Sequence, residues 1–297
     1  MDSFDTLLYD GRIGRIGRFI CPSWHPQFAD TGPIHGTIIV FPRTSVTITH
    51  AGQQPIIGDP NVVMFYNQGQ RYRRGKLSEQ GDICDWFAFA PQLVIEALRP
   101  VDPRVDDRWE RPFVFSHGPS TSKLYLQQRL LVESLSGPHP PDLLTLEEKM
   151  LAILQQAVQI RYQQKRPSAP KSSSTHRSHK ELIAGAKAIL ATRYAESLSL
   201  EMLAEALFTS PYHLCRVFRQ ETGLTIHNYL NQMRLRASLE PVAAKETSLT
   251  ELSLALGFAN HSHFSASFRR AFGVPPSHLR QKPSTAILQK MSKILTV

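Results

Sequence analysis

Hydrophobic and polar positions change their period partway along the chain. As far as Phe89 the apolar residues come in short runs or alternate strictly. Thr37-Ile38-Ile39-Val40-Phe41 is β-branched and apolar, and Pro42 closes it. From Ser45 to His50, Val46 and Ile48 alternate with Thr47 and Thr49. The turn Asp59-Pro60-Asn61 precedes Val62-Val63-Met64-Phe65-Tyr66, and Asn67-Gln68-Gly69 follows it. Gly81-Asp82 opens a last run in which Ile83, Asp85, Phe87 and Phe89 alternate with Cys84, Trp86 and Ala88. Short strands separated by turn chemistry predict a small sandwich or barrel.

The period then becomes helical. Leu124, Leu126, Leu130, Leu131 and Leu135 predict one helix, broken by Gly137-Pro138 and Pro140-Pro141. Thr145-Leu146-Glu147-Glu148 carries a capping-box signature. Leu146, Met150, Ile153, Leu154 and Ala157 then share one helical face, read as domain core with a dimer seam as the alternative. Between Arg161 and His179 the chain holds Pro167, Pro170, three consecutive serines and almost no large apolar residue. It cannot bury enough surface to offset its ordering entropy, so residues 164–178 are read as a linker after a first domain, 1–163.

Residues 179–283 are helical throughout. Ser178-His179-Lys180-Glu181 offers a capping box for a helix ending near Tyr194. Ser199 caps a short helix from Leu200 to Leu207, and Phe208-Thr209 is a tight turn. Ser210 caps the next helix, with Pro211 at its first position, where a missing N–H costs nothing. Leu214, Val217 and Phe218 face inward, leaving Tyr212, His213, Cys215, Arg216 and Arg219 outside. About fifty residues later the arrangement repeats. Ser248-Leu249-Thr250-Glu251 is a capping box, Gly257 ends its helix, and Asn260 caps a helix from His261 that Gly273 stops. Here Phe264 and Phe268 face inward, and His261, Ser262, His263, Ser265, Ala266, Arg269 and Arg270 are more exposed. Two short helices joined by a tight turn, the second bearing Arg and polar residues on its free face, form a helix-turn-helix. Such a helix fits the major groove, and Arg matches the acceptors of guanine. An ordinary helical bundle with basic faces is the bland alternative, which two tandem copies disfavour.

Charge sharpens this. The chain has 297 residues and a formal net charge of +9. Residues 1–160 hold 15 basic and 17 acidic side chains, a net of −2, while residues 161–297 hold 19 and 8, a net of +11. The excess lies in the half that bears both helix-turn-helix units, which points to a polyanionic partner, double-stranded DNA. No run of about 18 apolar residues occurs, so no membrane span is expected. The N-terminus lacks the basic region of a secretory signal, and the expected compartment is the cytosol. Cys21, Cys84 and Cys215 are isolated, with no CxxC or Cys/His cluster. His25, His35 and His50 stand apart, and no nucleophile elbow, phosphate loop or HExxH sequence occurs, so no cofactor, metal or catalytic activity is expected. The repeated Gly-Arg-Ile-Gly of residues 11–17 is read as a turn-rich entry segment. Arg71 to Lys76 is read as a solvated basic loop, with an anion site as the minority reading. Asp85 is a residue that could point into a barrel.

The C-terminal half resembles the AraC/XylS family of transcriptional regulators. Ala204, Leu207, Ser210, Leu214, Arg216, Phe218, Gly223, Tyr229-Leu230, Arg234-Leu235 and Ala237 match in the first unit. Ala255, Gly257-Phe258, Ser262, Phe264, Phe268, Phe272-Gly273, Pro276 and Arg280 match in the second. The resemblance implies an α+β chain: an N-terminal cupin-like barrel with trailing helices, then an all-α DNA-binding domain. A helix over Ile226–Ala243 would hold two recognition helices in successive major grooves, about 34 Å apart. Tyr212, Cys215 and Arg216 would contact bases from the first unit, and His261, Ser262 and Ala266 from the second. Ala266 departs from the family, in which many members carry Arg. Arg219, Arg269 and Arg270 would meet phosphates, with Ser265 on the same face. The first domain would sense a small-molecule effector or form a homodimer. An activator would also touch RNA polymerase. The rival readings are a constitutive regulator whose first domain only dimerises, and a cupin enzyme tethered to DNA. The tail, residues 284–297, has helical spacing at Ile287, Leu288, Met291, Ile294 and Leu295, and is expected to pack as an extra helix.

Overall fold

The structure is a computed structural model that describes residues 4–137, 140–164, 173–245 and 247–281. The tail expected to form a helix lies outside the described residues. The strands are β1 (Asp5–Asp10), β2 (Gly14–Cys21), β3 (Thr37–Pro42), β4 (Val46–His50), β5 (Ile56–Gly58), β6 (Val62–Tyr66), β7 (Tyr72–Gly75), β8 (Asp82–Phe89) and β9 (His117–Pro119). The helices are α1 (Pro91–Leu98), α2 (Ser122–Leu135), α3 (Leu143–Gln163), α4 (Ser173–Arg193), α5 (Leu200–Ala206), α6 (Pro211–Thr222), α7 (Ile226–Ala237), α8 (Leu239–Ala244), α9 (Leu249–Ala255), α10 (His261–Phe272) and α11 (Pro276–Gln281).

The strands form two sheets, a six-stranded one ordered β1-β2-β8-β3-β6-β9 and a three-stranded one ordered β5-β4-β7. A closed barrel is therefore not what the strands make. Among the described residues β1 pairs only with β2 and β9 only with β6, so the large sheet keeps two edges. Alternation sorts its side chains into two cores. Ile39, Phe41, Val63, Phe65, Phe87 and Phe89 pack on α1, α2 and α3. Val40, Val62, Met64, Tyr66 and Cys84 point the other way, towards Val46 and Ile48 of the small sheet. That second core is incomplete, and a cavity of about 690 Å³ remains between the sheets, lined by Phe19, Ile38, Met64, Tyr66, Tyr72 and Trp86 among others.

Parity corrects the reading of Asp85. It shares a face with Phe87, so it points towards the helices and not into the space between the sheets. There it accepts hydrogen bonds from Arg18 Nε at 2.9 Å and Arg129 Nη1 at 3.2 Å. The Arg71–Lys76 segment is likewise not a solvated loop. It contains β7, and Arg74 is buried with Asp82 at 3.1 Å and the Phe19 ring 4.6 Å from its Cζ. The Gly-Arg-Ile-Gly repeat is a β-hairpin, in which Gly11 N–H donates to Gly14 C=O at 3.0 Å and β2 runs along β8 from Gly14–Phe89 to Cys21–Asp82.

Two helix starts also differ from expectation. α3 begins earlier, because Asp142 and not Thr145 is the cap, accepting from Thr145 N–H at 3.0 Å. α4 begins at Ser173, inside the stretch read as linker. No Gly or Pro follows Pro170 there, and the ion pair Arg177–Glu181 at 3.0 Å spans one turn. The single helix expected over Ile226–Ala243 is two, α7 and α8, meeting at Ser238. Pro241 has no N–H to give Ala237, so the ladder is interrupted.

The stripe on α3 is domain core, with Leu146, Met150, Ile153, Leu154 and Ala157 all buried beneath the large sheet. Helix α2 serves two cores at once. Leu124, Leu131 and Val132 join the sheet, whereas Tyr125, Leu126 and Leu130 pack among Leu235, Leu239, Phe264 and Phe268.

Candidate nucleic-acid interface

Each unit of the C-terminal half is built by local rules. Ser199 accepts from Met202 N–H at 3.1 Å and starts α5. Ser210 accepts from His213 N–H at 3.2 Å and starts α6, with Pro211 in its first turn. In the second unit Ser248 and Glu251 form a full capping box on α9, and Asn260 accepts from His263 N–H at 2.8 Å to start α10. Leu214, Val217 and Phe218 are completely buried in the first unit, as are Phe264 and Phe268 in the second.

The outward residues are fixed by that burial. Tyr212 is 79% exposed, and Cys215, Arg216 and Arg219 are exposed along the same helix. On α10, Ser262, His263, Ala266, Arg269 and Arg270 are exposed, while His261 and Ser265 are half-buried and lie 3.1 Å apart, Nε2 to Oγ. His213 Nδ1 lies 3.4 Å from Arg216 Nη2. Thus α6 and α10 each present a polar and basic face, but Ala266 stands where Arg216 stands in the first unit, fifty positions earlier.

Helix α7 ties the two units together. Tyr229, Leu230 and Met233 pack in the first core and Leu235 in the second. Arg234 sits between them and donates from Nε to Tyr194 C=O at 2.6 Å and from Nη2 to Glu196 C=O at 2.8 Å. Its burial lowers its pKa. The second unit closes over this guanidinium at Gly257, whose φ of +79° and tight surroundings both demand glycine. A Cβ there would lie 2.5 Å from Ala195 O and 2.8 Å from Arg234 Nη2.

Sequence reasoning missed the contact between α7 and the sheets. Tyr229 Oη donates to Asp59 Oδ2 at 2.5 Å, and Asn61 Nδ2 donates to Tyr229 C=O at 3.0 Å. Arg236 reaches the carbonyls of Pro60 and Ser120, both at 2.6 Å, and the side chain of Asn61. Desolvation pulls its pKa down to about 10. Arg43 Nη2 meets Glu240 Oε2 at 2.6 Å on α8. No periodicity announces such a contact. The one local signal was the Asp-Pro-Asn turn between β5 and β6, which reads only as a turn.

Among the described residues no group of three or more His, Cys, Asp or Glu is placed to hold a metal ion. Among the same residues no helix is long and apolar enough to cross a membrane.

Residues 203–282 match a family described as Helix-turn-helix domain. The chain is 38% identical over 92 residues to the HTH-type transcriptional activator RhaS of Escherichia fergusonii, covering 31% of this chain and 33% of that one. It is 27% identical over 172 residues to the Msm operon regulatory protein of Streptococcus mutans, covering 57% and 59%. It is 31% identical over 88 residues to the bifunctional transcriptional activator/DNA repair enzyme AdaA of Bacillus subtilis, covering 30% and 42%. The matches therefore span between a third and three fifths of these relatives. Among solved structures, apo ToxT of Vibrio cholerae aligns over 91% of this chain and 97% of its own, at 13% identity and a TM-score of 0.37. An AraC-type regulator of Chromobacterium violaceum aligns over 37% and 94%, at 24% identity and a TM-score of 0.32. With its tandem units and their caps, and with residues 203–282 matching that family, the C-terminal part of this chain carries a helix-turn-helix domain.

Proposed function

We propose that the chain is a sequence-specific DNA-binding transcriptional regulator whose N-terminal half modulates the DNA-binding half. The observation that carries this is the pair of exposed faces on α6 and α10, each on its own helix-turn-helix and both in the basic half. In this reading Tyr212, Cys215 and Arg216 read bases from the first unit, and His261 and Ser262 read them from the second. Arg219, Ser265, Arg269 and Arg270 position the backbone. The first unit supplies more discrimination, because Ala266 offers at most a methyl contact. Its relatives named as activators favour an activating role, which would bring RNA polymerase as a second partner.

The effector belongs in the cavity between the two sheets, large enough for a small organic molecule. Gly58 lines that cavity, and the next three residues hold α7. A ligand pressing on β5 would therefore act on the helix that joins the two recognition units. Homodimerisation through another face is compatible with this, but the stripe on α3 is already covered.

The test is a binding assay with specific and scrambled duplexes. Arg216→Ala should cost about 1–3 kcal/mol on the specific site and far less on scrambled DNA. Arg269→Ala should weaken both alike, and affinity for both should fall steeply with salt. Equal losses on both duplexes for Arg216→Ala would remove it from base readout.

A further inference from the structure

A second cavity, of about 470 Å³, lies where the sheet-bearing half meets the first DNA-binding unit. Its walls include Gln53, Arg111, His117 and Arg161 from the N-terminal half, with Lys180 on α4 and Glu221 on α6. Three cationic side chains, Arg111, Arg161 and Lys180, thus share the space with one carboxylate. This differs from the cavity between the sheets, whose walls are mostly aliphatic and aromatic.

Arg161 is set in place by its surroundings. Its stem lies across Gly118 of β9, where an added Cβ would come within 2.7 Å of Arg161 Cδ and 3.1 Å of its Cβ. Its Cζ stands 4.9 Å from the Phe115 ring. A glycine at 118 is therefore what lets this arginine reach the cavity. His117 reports the local field. Desolvation first, and then the charges of Lys187, Arg161, His50 and Lys180, hold its pKa down to about 3. The ring stays neutral and keeps both a donor and an acceptor, with Nδ1 3.1 Å from Ser116 Oγ.

The geometry points to a binding site here for a small organic dianion, a dicarboxylate or a phosphate monoester, held between Arg111 and Arg161 on one side and Lys180 on the other. Arginine forks match carboxylate and phosphoryl oxygens, and cations gathered around one concave, mostly polar space attract an anion into it. The volume falls within the range of ordinary small-molecule sites. Because the cations come from both halves, such a ligand would brace the first unit against the sheets. The site is separate from the faces of α6 and α10, and its occupancy needs no DNA.

Titration calorimetry and thermal unfolding of the full chain with malonate and with glycerol phosphate test this, with chloride at matched ionic strength as the control. One equivalent should bind and raise the melting temperature above the chloride control. Stronger binding of malonate would assign a dicarboxylate, and stronger binding of glycerol phosphate a phosphate monoester. Arg161→Gln and Lys180→Gln should each weaken binding about tenfold, the loss of one charge-assisted hydrogen bond. Lys180 is exposed, so its variant keeps the test sound should the Arg161 variant fail to fold. The double variant Arg216→Ala, Arg269→Ala should bind as before, which separates this site from the basic faces. No binding of either probe, unchanged binding by Lys180→Gln, or loss in the double variant would overturn the assignment. None of these results depends on whether Arg216 reads a base.

Discussion

Phe208 holds a left-handed backbone, φ +51°, at the turn between α5 and α6, and its ring is 98% exposed. It pays the steric penalty of that conformation and buries nothing in return. Phe208→Gly should therefore stabilise the fold by roughly 0.5–1 kcal/mol, seen as a higher denaturant midpoint at unchanged slope. A lower midpoint would mean that the ring has a partner in the folded chain. At this scale the sequence was legible where a residue acts on its neighbours. Ser199, Ser210, Ser248 and Asn260 cap the helices they were expected to cap. It was not legible where a residue acts at a distance. Nothing near Arg74 in the chain shows that its guanidinium lies beside Phe28 and Asp82, its Nε bonded to the Phe28 carbonyl at 2.9 Å.

Among elements, the turn between β5 and β6 is the most consequential. It places Asp59, Pro60 and Asn61 against Tyr229 and Arg236 of α7, and Lys187 of α4 stacks over the Tyr229 ring at 5.2 Å. Removing Arg236 would strand buried carbonyls of Pro60 and Ser120, each costly without a donor. Arg236→Met should destabilise the chain by about 2–4 kcal/mol, whereas Tyr229→Phe should cost about 1 kcal/mol, both read from denaturant unfolding. Matching small losses would show that α7 is not held by this turn. β3, β4, β6 and β8 were legible because apolar and β-branched residues recur in them with the pleat. β1, β2, β5, β7 and β9 were not. They are short, glycine-bearing or charged, and it is their pairing with other strands, not their own pattern, that makes them strands. Two of them, β1 and β9, form the edges of the six-stranded sheet.

For the whole molecule, the uneven charge of the sequence becomes a basic helical half joined to a nearly neutral one. The buried surfaces between the halves also carry ionisable groups, and these set a response to acid. His117 is neutral in the fold, with a pKa near 3, but near 6.5 in an unfolded chain. Between those values the unfolded chain binds the extra proton, so stability falls as the pH drops from about 6.5 towards 3. His117→Gln should flatten the acid side of a plot of melting temperature against pH. An unchanged slope would place the effect in other groups.

Helix α2 precedes, by more than a hundred residues, the second core into which Tyr125, Leu126 and Leu130 insert. On a ribosome adding about 5–20 residues per second, Phe264 emerges on the order of ten seconds after Leu130. Through that interval the N-terminal half can complete its own sheets, but α2 must wait with an oily side uncovered. A nascent chain in that state is a natural client for a chaperone, and translation arrested between the two halves would leave a product prone to clump.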